Sequence, residues 1–334
     1  DEITIAQALK QQGYATAALG KWHLGDRKEF LPLQRGFDHY FGMPYSMDML
    51  PTLLYRGNEI QEEMPGDTVQ NITERLVEDC IDFIADNKDE PFFIYFNHTI
   101  PHPPLNIPER YRTEGHSVYE DALEYMDEQT GRILDALKAH GLDDNTLVMF
   151  TSDNGPMAKD GDAGGLRGRI RDSYEGGVRV PFIARWPKRI PEGLVQDTPA
   201  IAYDIFPTVL KLAGADIPAD RVYDGQDIWP LLSGEGTIER EKPFVWVYLD
   251  NVTAVRDGKW KFHVAERDKP INPPELYDLE TDPKESTPVN DQHPEIVKRI
   301  TAFIDEYAKD IPYVWTLQYP VLDPAKRPSG VRRE

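Results

Sequence analysis

Cysteine is almost absent: Cys80 is the only one among 334 residues, which excludes an internal disulfide and any thiolate-rich metal site. No uninterrupted apolar run approaches membrane-spanning length, and no charged-then-apolar targeting segment opens the chain. Because the first residue is Asp1 rather than Met, upstream sequence is expected to be missing, and any signal peptide with it. Positive charge is in short supply: 37 Lys and Arg face 58 Asp and Glu, for a formal net charge of -21. Such a chain repels nucleic acid and anionic membranes at long range, so neither is an expected partner. An anion can still bind where a few cations converge, because a focused pocket potential can differ in sign from the net charge. Internal repeats and low-complexity tracts are absent as well.

What is present is an alternation of helical and strand patterns. Residues 3–12 predict a short helix closed by Gly13, followed by a buried strand over 15–19. Val69, Ile72, Leu76, Cys80 and Phe83 recur at helical spacing over 68–86, and an apolar strand follows over 92–96. A second long helix is expected over about 117–139, then a strand over 146–151, another over 181–186, and short helices over 203–213 and 226–233. This order predicts an α/β fold: a mostly parallel central sheet flanked by helices, with ligands bound outside the carboxyl ends of the strands. Gly234-Glu235-Gly236 reads as a boundary, which divides the chain into a domain over 1–235 and a smaller one over 236–334. In the second, strand-like runs over 244–249, 253–256 and 259–264 precede one helix at about 294–308, the pattern of an α+β unit with an antiparallel sheet. The proline-rich tail from 311 is expected to pack as an extended segment.

The polar residues with chemical potential fall where the predicted strands end. Lys21 and His23 occupy alternate positions of a Gly-flanked loop, so both can face one side of an extended backbone. Asp153 and Asn154 offer a carboxylate and an amide oxygen, a hard-oxygen pair suited to Ca²⁺ or Mg²⁺, although Ca²⁺ takes about 6–8 oxygens and two ligands do not make a site. His102 lies between prolines that restrict its backbone, with His98 as its rival. Each motif alone is equally compatible with a turn, a solvated charge or a packed histidine.

Together they carry more. Gly20-Lys21-Trp22-His23-Leu24-Gly25, Gly36-Phe37-Asp38, Met43-Pro44-Tyr45-Ser46, Pro101-His102-Pro103-Pro104, Thr151-Ser152-Asp153-Asn154-Gly155, Tyr174-Glu175-Gly176-Gly177-Val178-Arg179-Val180-Pro181 and Glu275-Leu276-Tyr277-Asp278-Leu279 stand in order along the chain. In this series the sequence resembles the sulfatase family, nearest to its arylsulfatase A branch, from residue 3 to about 308. The resemblance implies an alkaline-phosphatase-like fold and hydrolysis of sulfate esters by a formylglycine nucleophile with Ca²⁺, or Mg²⁺ in its place. It matches Lys21 to a sulfate-contacting lysine, His23 to a histidine that hydrogen-bonds the nucleophile, and His102 to the histidine that protonates the leaving oxygen. Ser46 matches a serine lining the sulfate pocket, and Asp153 and Asn154 match two Ca²⁺ ligands. The physics agrees, since a sulfate ester needs its oxygens neutralised, its leaving oxygen protonated and its nucleophile held in line.

Two departures stand out. The family's N-terminal Asp-Asp pair and its Cys-x-Pro-x-Arg or Ser-x-Pro-x-Arg motif have no counterpart; Cys80 lies on an apolar helical stripe and reads as core. In the family those elements precede the helix that opens this chain, so the first sheet strand is expected to be missing too, either on a separate N-terminal fragment or lost. The chain taken alone is then expected to be inactive or nearly so. Where most relatives place a sulfate-binding lysine, this sequence has Ile170, and Arg169 or Arg171 is the candidate replacement because a guanidinium fork suits an anion. The expected ligand is a sulfated small molecule or saccharide. The alternatives are a non-catalytic remnant that binds such ligands, or a phosphate or phosphonate ester hydrolase of the same superfamily. A periplasmic or secreted location is a further expectation of the resemblance, while a homo-oligomer is left open beside a separate N-terminal fragment as a partner.

Overall fold

The computed structural model describes residues 2–64, 71–157, 159–248 and 251–309. The predicted tail from 311, the first residues of the helix predicted from 68, Val69 among them, and Leu249 lie outside the described residues.

Helix α1 (Ile5–Gln11) starts where the sequence supplies a capping box: the Thr4 hydroxyl accepts from the Gln7 amide, and the Gln7 side chain accepts from the amide of Thr4 at 2.9 Å. It leads into β1 (Ala15–Lys21), which is buried throughout its interior. Strand β2 (His39–Met43) and strand β5 (Phe92–Asn97) flank β1 and pair with it in parallel. Strands β3 (Thr52–Arg56) and β4 (Glu59–Met64) continue beyond β2 as an antiparallel hairpin, giving the order β4-β3-β2-β1-β5. The sheet is therefore mixed, parallel only through β2-β1-β5.

Successive residues of β1 face opposite sides, as pleating requires. Leu19 joins Phe41, Met43 and Leu54 beneath α2 (Ile72–Asp86) and α3 (Val118–Ala139), which contribute Leu76, Cys80, Ile84, Ala122, Tyr125 and Leu137. On the opposite face Ala18 packs with Ala6 of α1, Trp22, Phe37 and Tyr40. Cys80 is a core residue, and burial pushes its thiol up to about 12, which leaves no thiolate for chemistry.

Strand β6 (Val148–Thr151) pairs antiparallel with β7 (Phe182–Arg185) in a separate two-stranded sheet, while β5 is the edge of the five-stranded one. Between β6 and β7 lies a one-turn helix, α4 (Glu175–Val178). Helices α5 (Ile205–Leu212) and α6 (Trp229–Ser233) follow. The last elements are β8 (Phe244–Tyr248), β9 (Asn251–Asp257), β10 (Trp260–Glu266) and β11 (Lys269–Asp278), an antiparallel sheet in the order β11-β10-β9-β8. Helix α7 (Pro294–Tyr307) packs on it through Ile300, against Val255, Phe262 and Leu276.

Strands β2, β3, β4 and β11 are additions to the sequence reading. The charged residues Glu59, Glu62 and Glu63 hide β4, and Pro270, Pro273 and Pro274 argue against a strand. Proline is tolerated in β11 because that strand is an edge of its sheet.

Candidate active site

The rim at the carboxyl ends of β1 and β5 is built by backbone contacts too close for side chains. A Cβ on Gly20 would lie 1.8 Å from the carbonyl oxygen of Asn97, and one on Gly42 would lie 2.0 Å from that of Gly20. The amides of Trp22 and His23 donate to the carbonyls of Met43 and Pro44 at 2.8 and 2.9 Å, which carries the β1–β2 pairing into the loops. The side-chain amide of Asn97 donates to the carbonyl of Lys21 at 2.9 Å. Three loops are thereby tied together: the one with Lys21 and His23, the one with buried Ser46, and the one that runs from Asn97 to His102.

Lys21 is half-buried, and no carboxylate pairs with its ammonium among the described residues. His23 adopts φ 55, in the left-handed region that L residues seldom occupy, a sign of local strain at this loop. Burial, then the charges of Lys21 and His102, lower its imidazole below the ordinary value against an opposing pull from Asp48. At neutral pH His23 is therefore neutral and keeps one nitrogen as an acceptor. Nδ1 of His102 lies 2.6 Å from the carbonyl of Pro103. A carbonyl only accepts, so Nδ1 carries the proton and Nε2 is the atom left for chemistry.

His98, the rival, turns away from this group. Its Nε2 contacts the Thr130 hydroxyl of α3 at 3.1 Å, its ring meets Phe96 edge-on at 4.7 Å, and burial pushes it down to about 4. Above the unfolded value of 6.5 it is neutral folded or unfolded and adds no pH dependence. As pH falls below 6.5 the unfolded chain takes the proton first, so stability is expected to drop by about 3 kcal/mol by pH 4. Urea unfolding between these pH values checks this, and His98→Gln should flatten the slope.

The second half of the site leaves β6. Asp153 is exposed with an unpaired carboxylate among the described residues, and the Asn154 amide nitrogen donates to the carbonyl of Gly155 at 3.0 Å, a bond that does not use Oδ1. This turn rests on α4: the amide of Gly155 donates to the carbonyl of Gly177 at 2.9 Å, and a Cβ on Gly155 would lie 2.0 Å from the carbonyl oxygen of Gly176. Gly155→Ala is expected to cost about 1–3 kcal/mol by overpacking, read as a lower unfolding midpoint. The amide of Ile170 donates to the carbonyl of Pro156 at 3.1 Å, so the turn with Arg169 and Arg171 sits beside Asp153 and Asn154.

Arginines at alternate positions divide sharply. Arg167 is spent on structure: it donates to the hydroxyls of Tyr174 and Tyr277 and to the carbonyl of Glu285, each at 2.9 Å, and stacks 3.8 Å from the Tyr174 ring centroid. Arg169 and Arg171 are exposed, and their guanidinium groups make no ion pair among the described residues. Among the described residues, no hydrogen bond or ion pair links this second half to Lys21, His23 or His102. The two oxygens of Asp153 and Asn154 fit a hard cation by chemistry, but Asp153 joins no cluster of three carboxylate or imidazole groups among the described residues.

Sequence reading missed what holds α4. Glu175, Lys261, His263 and Glu285 form a buried network between α4 and the C-terminal sheet. Lys261 Nζ is 2.7 Å from Glu175 Oε1 and 3.5 Å from Glu285 Oε1, and His263 Nε2 is 2.6 Å from Glu285 Oε1. The one signal in the sequence is Glu175, within the segment 174–181.

Comparison with known proteins agrees with this architecture. The family model described as Sulfatase matches residues 1–215, and one described as N-sulphoglucosamine sulphohydrolase, C-terminal, matches 169–310. The chain belongs to the sulfatase family. Within the family it is of the arylsulfatase A-like kind. It is 33% identical to human arylsulfatase A over 340 residues, covering 86% of this chain and 66% of that protein. It is 35% identical to N-acetylgalactosamine-6-sulfatase of Canis lupus familiaris over 286 residues, covering 78% of this chain and 54% of that protein. The chain thus spans about half to two thirds of the length of these relatives. A solved sulfatase from Pseudoalteromonas sp. superposes with a TM-score of 0.84 at 25% identity, covering 93% of this chain and 74% of that one. Another, solved in complex with D-glucosamine-2-N,6-O-disulfate, shares the fold with a TM-score of 0.70 at 20% identity, covering 98% and 84%. No helix among the described residues is long and apolar enough to cross a membrane.

Proposed function

We propose that this chain carries the substrate-binding and proton-donating part of a sulfuric ester hydrolase acting on a sulfated small molecule or saccharide. The observation that carries the reading is the half-buried, unpaired Lys21 beside His23 and His102 in a protein of net charge -21. Lys21 neutralises a non-bridging sulfate oxygen, and the buried Ser46 lines the same pocket. Neutral His23 accepts a hydrogen bond from the nucleophile, and Nε2 of His102, when protonated, donates to the leaving oxygen. Arg169 and Arg171 offer donors to the anion where Ile170 offers none. Asp153 and Asn154 would supply two oxygen ligands to Ca²⁺, with Mg²⁺ as the alternative, and the ion when bound neutralises charge at the nucleophile. The formylglycine precursor is not among these 334 residues, so the reading requires it from sequence outside them. A periplasmic or extracellular location is part of the same proposal.

The test compares turnover of 4-nitrophenyl sulfate, phosphate and a phosphonate monoester by the full-length gene product with and without Ca²⁺. Sulfate turnover that depends on Ca²⁺ supports the reading. Preference for phosphate or phosphonate replaces the chemistry on the same fold, and binding of the sulfate ester without turnover replaces catalysis by ligand capture.

A further inference from the structure

The loop from β5 to α3 ends in a second group of metal-ligating side chains, none of which takes part in the site above. His116, Asp121 and Glu124 present one ring nitrogen and two carboxylate oxygens within 4.8 Å of one another. Nδ1 of His116 lies 3.2 Å from Oδ1 of Asp121 and 3.9 Å from Oε1 of Glu124. The sequence makes the cluster local. Asp121 and Glu124 are three residues apart and share a face of α3, and the Ser117 cap, with its hydroxyl accepting from the Glu120 amide at 3.2 Å, turns His116 back toward that face.

The telling group is Asp121, which is fully buried at 0% exposure. Its Oδ2 accepts from Arg112 and from the amide of Thr113. Its Oδ1 is buried, has no hydrogen-bond donor, and is aimed at His116 without the angle of a hydrogen bond. A buried carboxylate oxygen without a donor is costly, and a cation seated among the three groups would satisfy it. We propose that His116, Asp121 and Glu124 bind a divalent transition-metal ion with the preferences of Zn²⁺. Bonds of about 2.0–2.2 Å at a tetrahedral angle set ligand atoms roughly 3.3–3.6 Å apart, which the two observed separations bracket. The imidazole nitrogen selects against Ca²⁺ and Mg²⁺, which take oxygen ligands. Arg112 holds the far oxygen of Asp121 and so fixes the orientation of the near one, the part an outer-shell partner plays.

The test titrates the metal-free 334-residue chain with Zn²⁺, and separately with Co²⁺, in excess Ca²⁺ so that oxygen-only sites such as Asp153 and Asn154 are filled. Wild type is expected to bind a single Zn²⁺, and His116→Ala or Glu124→Gln to weaken binding by about 10–100-fold. Both substitutions are at exposed positions and leave the Asp121–Arg112 pair in place, so unfolding midpoints in metal-free buffer should match wild type. Co²⁺ should give tetrahedral absorption bands in wild type that disappear in His116→Ala. Absence of Zn²⁺ binding, affinities in the variants equal to wild type, or bands that persist without His116 would each overturn the proposal. None of these readouts depends on turnover.

Discussion

Lys261→Met is expected to lower the free energy of unfolding by about 3–5 kcal/mol, measured by urea denaturation at neutral pH. Lys261 lies on β10 at 0% exposure, and its ammonium bridges Glu175 of α4 and Glu285. Burial pushes Glu285 up, but the hydrogen bond from His263 and the charge of Lys261 outweigh it and hold the carboxyl below its usual range. Its Oε2 also accepts from the amide of Glu175 at 2.7 Å. Removing the ammonium leaves two buried carboxylates with Arg256, 3.5 Å from Glu175, as the cation in contact with them among the described residues, since burial lowers the His263 imidazole below its ordinary value. Methionine fills the space and supplies no charge, so the loss is that of an uncompensated buried ion. Lys188→Met, which breaks the exposed pair with Asp144, should cost less than about 1 kcal/mol. Equal effects of the two substitutions would mean the network does not hold α4 in place. Because Gly155 hangs on Gly177 of α4, Lys261→Met should also loosen the turn that presents Asp153 and Asn154, which in the proposed function reads as weaker Ca²⁺ binding.

On the proposed function, His102→Ala is expected to reduce kcat for a sulfated saccharide by about 10²–10⁴-fold in the full-length gene product. The bond between Nδ1 and the Pro103 carbonyl leaves Nε2 free, and in the proposed function Nε2 donates to an oxygen that needs a proton as it leaves. Nitrophenolate leaves readily unprotonated, so the loss should be smaller with 4-nitrophenyl sulfate than with an alkyl or sugar sulfate. Equal losses on both substrates would assign His102 to binding rather than proton transfer. His98→Gln serves as the control, since His98 is turned into the α3 contact and should leave this substrate difference intact.

Much of this was legible in the sequence because it is set by local pattern. The stripe of Ile72, Leu76, Cys80 and Phe83 marks α2, the helical pattern over about 117–139 marks α3, and the apolar runs mark β1 and β5. The order of the motifs was enough to name the family, and the resemblance, added to their place at strand ends, nominated Lys21, His23, His102, Asp153 and Asn154. Each of these depends on residues within a few positions of one another, where backbone sterics and hydrophobic spacing act directly.

The burial of His98 against α3, the division of labour among Arg167, Arg169 and Arg171, and the buried lock on α4 belong to tertiary structure. So does the pairing of β11, whose prolines are acceptable only because nothing pairs on its other side among the described residues. Glu175 and Lys261 are 86 residues apart, and Arg167 and Glu285 are 118 apart. Local pattern carries no record of such partners, because burial and charge compensation are fixed only when distant segments meet and water is excluded from between them.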